Sequence, residues 1–121
     1  MKKAITTAYN ANSTLSGLAT LYLEEIKSNA SMPYVVYHIT TATPVMMQNY
    51  DYAEEGLVTF SIWATTDASR QSVYNALLDC FRNQIITEGS KKYFCLLVNL
   101  VTGKEDKVWF YHADFEITRK E

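Results

Sequence analysis

Between Leu57 and Phe81 the apolar positions recur first with a period of two and then at helical spacing, and the rest of the chain is arranged around that switch. Leu57 to Thr65 sets Val58, Phe60, Ile62 and Ala64 on one side and Leu57, Thr59, Ser61 and Trp63 on the other. This predicts a strand with a core face and a more polar face, on which Trp63 needs a cover. After the polar corner TDASRQS, Thr66 or Asp67 supplies a helix cap. Val73, Ala76, Leu77, Cys80 and Phe81 then form one apolar stripe, so an amphipathic helix lying on the sheet is expected.

Upstream, Ile5, Ala8 and Tyr9 fall at helical spacing within Lys2 to Ala11, and Asn10, Asn12 and Ser13 interrupt the pattern. The preferred reading is a short helix, a stop, and a second short turn through Thr14, Leu15 and Leu18 capped by Ser13; the alternative is one helix continuing to Ala19. Leu21 to Ile26 alternates briefly, as an edge-like first strand with Glu24 or Glu25 exposed would. Pro33 holds Met32 extended and starts a central strand, Tyr34 to Thr40, with Val35, Tyr37 and Ile39 on one face.

Thr41 to Gly56 reads TATPVMMQNYDYAEEG, and at roughly sixteen residues it is longer than most connections. Met46, Met47, Tyr50 and Tyr52 bring adaptable apolar and aromatic surface, and Asp51, Glu54 and Glu55 bring negative charge. Two readings stand side by side: an interaction loop, and a long hairpin extending the flanking strands. Beyond the helix, Gly89 and Ser90 end a connection, Tyr93 to Val101 is a nearly all-apolar strand, and Thr102 to Asp106 reads as a hairpin loop with Gly103 free to take positive φ. Lys107 to Thr118 closes the chain, with Trp109, Tyr111, Ala113, Phe115 and Ile117 on its core face. The expected fold is α+β, a mostly antiparallel sheet of about four to five strands with helices on one face.

Composition narrows the class without naming a function. A chain of 121 residues is the size of one domain, taken as 1–121, and 48% hydrophobic with 20% charged residues is ordinary for a folded globular protein. A net charge of -2 supplies no general attraction for polyanions, which argues against nucleic-acid binding through the aromatic sheet. Cys80 and Cys95 sit within apolar runs and read as buried free thiols in a reducing compartment; whether they meet in the core is left to geometry. The opening MKKAITTAYNA lacks the apolar core of a signal peptide, and no apolar stretch approaches the ~20 residues that span a bilayer, so a soluble product of the cytoplasm is expected.

The chemistry-bearing residues are few. His38 and His112 are the acid–base candidates, with Asp114 and Glu116 near His112 on one strand face, but no nucleophile motif, glycine-rich loop or metal-ligand spacing accompanies them. The expectation is therefore no enzyme, no cofactor and no metal. A small-ligand or peptide-binding module using the aromatic face around Tyr34, Trp63 and Trp109 is the alternative function.

The order of elements, with AYNANSTLSGL, MPYVVYHI and LVTFSIWATTDASRQSVYNALLDCF at its landmarks, resembles the tail-completion proteins of long-tailed bacteriophages and prophages, also described as tail terminators or head–tail joining proteins. The resemblance spans about Tyr9 to Ile117, strongest at Pro33-Tyr34-Val35-Val36 and at Phe60-Ser61-Ile62-Trp63 with the cap and helix that follow. It implies a structural protein of the virion tail, made in the host cytoplasm. Such a protein assembles with itself into a ring, commonly a hexamer, at the end of the tail tube, terminates the tail and docks on the head connector, while DNA only passes through. On this reading Met46, Met47, Tyr50, Asp51, Tyr52, Glu54, Glu55 and Trp63 are the candidates for the partner interface or channel loop.

Overall fold

A computed structural model describes residues 1–24, 30–43 and 55–120. Helices α1 (Lys2–Ala11) and α2 (Ser13–Leu18) lead into strands β1 (Thr20–Leu23), β2 (Tyr34–Thr43) and β3 (Glu55–Ala64); helix α3 (Asp67–Phe81) and strands β4 (Ile85–Glu88), β5 (Lys91–Glu105) and β6 (Val108–Lys120) follow. The strands form a six-stranded sheet in the order β1-β2-β3-β6-β5-β4. Only the β1–β2 pairing is parallel; the others are antiparallel. The α+β class and the mostly antiparallel sheet agree with expectation, but six strands replace four to five. The extra strand is β4, which pairs Ile85 to Glu88 with Phe94 to Lys91. It is four residues long and buries only Ile86, too little to show a period in sequence.

The broken N-terminal reading holds, with a different cap. Asn12 is extended, and its side-chain oxygen accepts from the Leu15 amide at 2.9 Å. Asn12, not Ser13, therefore caps α2, because the residue with extended backbone just before the helix is the one whose side chain can turn back onto the free amides. Thr66 does the same for α3, accepting from Ser69 N–H at 3.1 Å. Glu88 Oε1 accepts from the Ala4 amide at 3.2 Å and from the Met1 nitrogen at 3.2 Å, which fixes the N-terminal turn of α1 to β4 and places a carboxylate at the helix's positive end.

The core lies between one sheet face and the helices. Val35, Tyr37 and Ile39 of β2, Val58, Phe60 and Ile62 of β3, and Ala113, Phe115 and Ile117 of β6 are buried there with Val73, Leu77 and Phe81 of α3. Phe60 sits at the centre, its ring 4.9 Å from Phe81, 5.6 Å from Phe115 and 6.0 Å from Tyr37 between centroids. Cys80 and Cys95 are both free. Burial, the first cause in each case, pushes their thiols up to about 11 and about 12, so both are protonated at neutral pH and poor nucleophiles.

The hairpin loop expected at Thr102 to Asp106 is not there. β5 runs on to Glu105, the turn is at Asp106 and Lys107, and Asp106 itself takes the left-handed conformation at φ 56. Gly103 instead lies within β5 opposite Phe110, whose ring tip would come 2.8 Å from an added Cβ. Its smallness makes room for that ring, a requirement that depends on strand register and leaves no local trace. Gly103→Ala should therefore displace Phe110 and lower stability by about 1 kcal/mol in urea unfolding, whereas an unchanged midpoint would mean that the ring swings away freely.

Much of the apolar run in β5 is exposed. Its register with β6 shifts between Leu97 and Asn99, and Leu96, Val98, Leu100 and Val101 are all exposed. β4 pairs with β5 only from Lys91 to Phe94, and among the described residues no other strand borders the rest of that edge.

Candidate functional site

The face of the sheet away from the helices carries an aromatic row set by strand register. Tyr34 of β2 lies opposite Trp63 of β3, and Trp63 lies opposite Phe110 of β6. Trp63 is half-buried, with its ring 5.5 Å from Phe110 and 5.4 Å, edge to face, from His112. Tyr22 of β1 meets Tyr34 edge to face at 6.1 Å. Trp63 thus finds part of its cover within its own chain, and a groove of about 340 Å³ lined by Met32, Tyr34, Trp63, Glu105, Asp106 and Val108 leaves the rest accessible.

The next rows of this face are polar. Ser61 Oγ and His112 Nδ1 are hydrogen-bonded at 2.8 Å, Thr59 Oγ1 donates to Asp114 Oδ1 at 2.6 Å, and Asn99 Nδ2 donates to Asp114 Oδ2 at 3.2 Å. Partial burial holds the His112 imidazole below its ordinary pKa, against the opposing pull of Asp114, so the ring is neutral at pH 7. A Ser–His–Asp relay requires the carboxylate on the second imidazole nitrogen. Here the Asp114 carboxylate accepts from Thr59 and Asn99 instead. The constellation is a satisfied polar network, and among the described residues no group of histidine, cysteine, aspartate or glutamate side chains could hold a metal ion.

Of the residues expected at a partner surface, Met46, Met47, Tyr50, Asp51, Tyr52 and Glu54 lie outside the described residues. The flanking strands do extend toward them, since Thr41 to Thr43 pair with Leu57 to Glu55. Glu55 is exposed at the start of β3 on the same face as Trp63. The two stand at opposite ends of the strand, roughly 26 Å apart at strand rise, so the structure does not bring them together. The aromatic group of Tyr34, Trp63 and Trp109 is also divided. Trp109 faces the helix side, where the Arg70 guanidinium lies 4.9 Å from its ring centroid, because it pairs with Ala64 of the core face.

Glu105 and Asp106, at the rim of the Trp63 groove, are the site residues that sequence patterning missed. They read as ordinary turn residues, and their nearness to Trp63 follows from the β3–β6 register and the late position of the turn. Arg70 was equally hidden. It is only 8% exposed, donates to Thr102 Oγ1 at 2.7 Å and to the Gly103 and Phe110 carbonyls at 3.3 and 3.4 Å, and forms an ion pair with Asp67.

No protein-family model and no curated protein sequence matches this chain. Solved structures do. A chain from the virion of a native gene transfer agent particle superposes with a TM-score of 0.73 at 10% identity, over 100% of this chain and 95% of that one. The gp17 protein of bacteriophage SPP1 superposes with a TM-score of 0.60 at 19% identity, over 97% of this chain and 86% of that one. The fold expected from the tail-completion resemblance is therefore one that this chain shares, nearly end to end, with the gene transfer agent virion chain and with SPP1 gp17.

Proposed function

We propose that this protein is a structural, non-enzymatic component of a phage or prophage virion. It forms a ring at the end of the tail tube, stops tail assembly and joins the tail to the head connector. The observation that carries this reading is the likeness of fold over nearly the whole chain to a gene transfer agent virion chain and to the gp17 protein of bacteriophage SPP1. The outer sheet face supports it: half-buried aromatics, an open groove and the exposed Leu96 and Val101 of β5 make a surface suited to protein contacts. No helix among the described residues is long and apolar enough to cross a membrane. The partners on this reading are further copies of the chain, the tail tube protein and the head connector, and the protein resides in the tail. The acidic stretch Asp51, Glu54 and Glu55 would face the channel, where like charge keeps passing DNA from sticking.

The mass of the purified protein in solution, followed by electron microscopy with tail tubes, tests the reading. A ring in solution, or a monomer that becomes a ring on tube ends, is the expected result. The groove at Trp63 supports a second reading, a small-ligand or peptide-binding module. A strict monomer that ignores tubes but retains a ligand would replace the first reading with the second.

A further inference from the structure

Two sets of charges on the outer sheet face form no ion pair with another described residue. Lys92 and Lys120 stand directly opposite each other on β5 and β6, both exposed. Like charges placed directly across a ladder oppose pairing. The nearest carboxylate along the β3–β6 ladder, Glu55 opposite Thr118, forms no ion pair with them. At the other end of the same hairpin, Glu105 and Asp106 are exposed at the rim of the Trp63 groove. Two cations share that end: Lys104, whose ammonium lies 4.9 Å from the Trp109 ring centroid on the helix side, and Lys107 in the turn. The ion pairs Met1–Glu88 and Arg70–Asp67 involve neither set.

The two sets cannot meet within one molecule. Lys92 and Glu105 lie near opposite ends of β5, a separation of roughly 40 Å at strand rise. We propose that the groove formed by Tyr34, Trp63, Glu105 and Asp106 receives the Lys92–Lys120 pair of a neighbouring copy of this chain. The ammonium groups would meet two carboxylates and the faces of Trp63 and Tyr34, both of which attract cations. Lys120 already lies over an aromatic ring in its own chain, 5.3 Å from Phe94, so the basic set carries an apolar flank to set against the groove. A contact between two different patches is heterologous, and heterologous contacts close into rings when the rotation allows. This inference rests on the ring reading and specifies which surfaces meet.

Charge exchange tests it. In sedimentation velocity and in binding to tail tubes, the variant carrying Glu105→Lys and Asp106→Lys, and separately the variant carrying Lys92→Glu and Lys120→Glu, should each lose assembly by on the order of 100-fold in protein concentration. An equimolar mixture should regain it, because each variant's groove then opposes the other's patch with complementary charge. All four positions are exposed, and a thermal melt of each variant verifies folding. If each variant assembles alone like the parent, the contact is wrong while the ring stands. If the mixture is not restored although both variants fold and fail alone, the groove takes some other occupant. A parent chain that stays monomeric at every concentration and on tubes overturns the ring and this contact together.

Discussion

Phe60→Ala is expected to remove about 3–5 kcal/mol of stability. The ring lies between the helix and the sheet, within 6.0 Å of Tyr37, Phe81 and Phe115, and is fully buried. Truncation would forfeit its transfer energy and leave a cavity walled by rings on three sides, which cannot collapse without pulling α3 toward β3. Against a total stability of about 5–15 kcal/mol for a domain, the variant should unfold at low urea or fail to fold. Phe60→Leu keeps the measurement possible in either case and should cost about 1–2 kcal/mol. Equal and small losses for both would mean that the three-ring contact contributes little beyond its apolar area.

Arg70→Ala comes second, at about 2–3 kcal/mol. The guanidinium is the one charged group that α3 sends into the β5–β6 hairpin: it donates to Thr102, Gly103 and Phe110 and lies 4.5 Å from the Tyr111 ring centroid. Its Nε is buried without a hydrogen-bond partner, so the site already carries one unmet donor. Removing the side chain takes one donor from each of the Gly103 and Phe110 carbonyls, although Thr102 Oγ1 still donates to the latter, and leaves a gap between Trp109 and Tyr111. Asp67 adds little to the loss, because its side chain is 54% exposed and rehydrates. Arg70→Lys should not rescue fully, since an ammonium cannot reproduce a planar fork spanning Asp67 and Thr102. Urea unfolding gives the size of the loss, and hydrogen exchange gives its place: amides of the hairpin near Gly103 and Phe110 should lose protection more than those around Phe60. A uniform loss would mean that Arg70 supports the whole fold rather than anchoring the hairpin.

Much of this architecture could be read along the chain because it depends on short periods. The alternation in β3 placed Val58, Phe60, Ile62 and Ala64 in the core, and all four are buried. The helical stripe did the same for Val73, Ala76, Leu77 and Phe81, with Cys80 half-buried at its margin. Asn12 and Thr66 stand where residues of their type cap helices, although only geometry chose Asn12 over Ser13 and Thr66 over Asp67.

The site was less legible. Trp63 could be singled out, as a large ring on the face that alternation turns away from the core. Tyr34 could be grouped with it on one aromatic face, and the register agrees. Phe110 and Glu105 could not, because they are brought to it by strand pairing and a late turn. Arg70 shows the same limit from the other side: a polar residue in a polar corner reads as solvated until β5 and β6 are seen to run beneath it.

What the sequence determined by itself is therefore the α+β class, the core faces of β3 and α3, and Trp63 as a residue in need of cover, since each follows from contacts within a turn or a strand. The tertiary structure alone decided the order β1-β2-β3-β6-β5-β4, the parallel edge at β1, the short strand β4, the late turn at Asp106 and the groove between Trp63 and that turn. Each of those depends on register between segments far apart in the chain, where a shift of one residue exchanges the two faces of a strand.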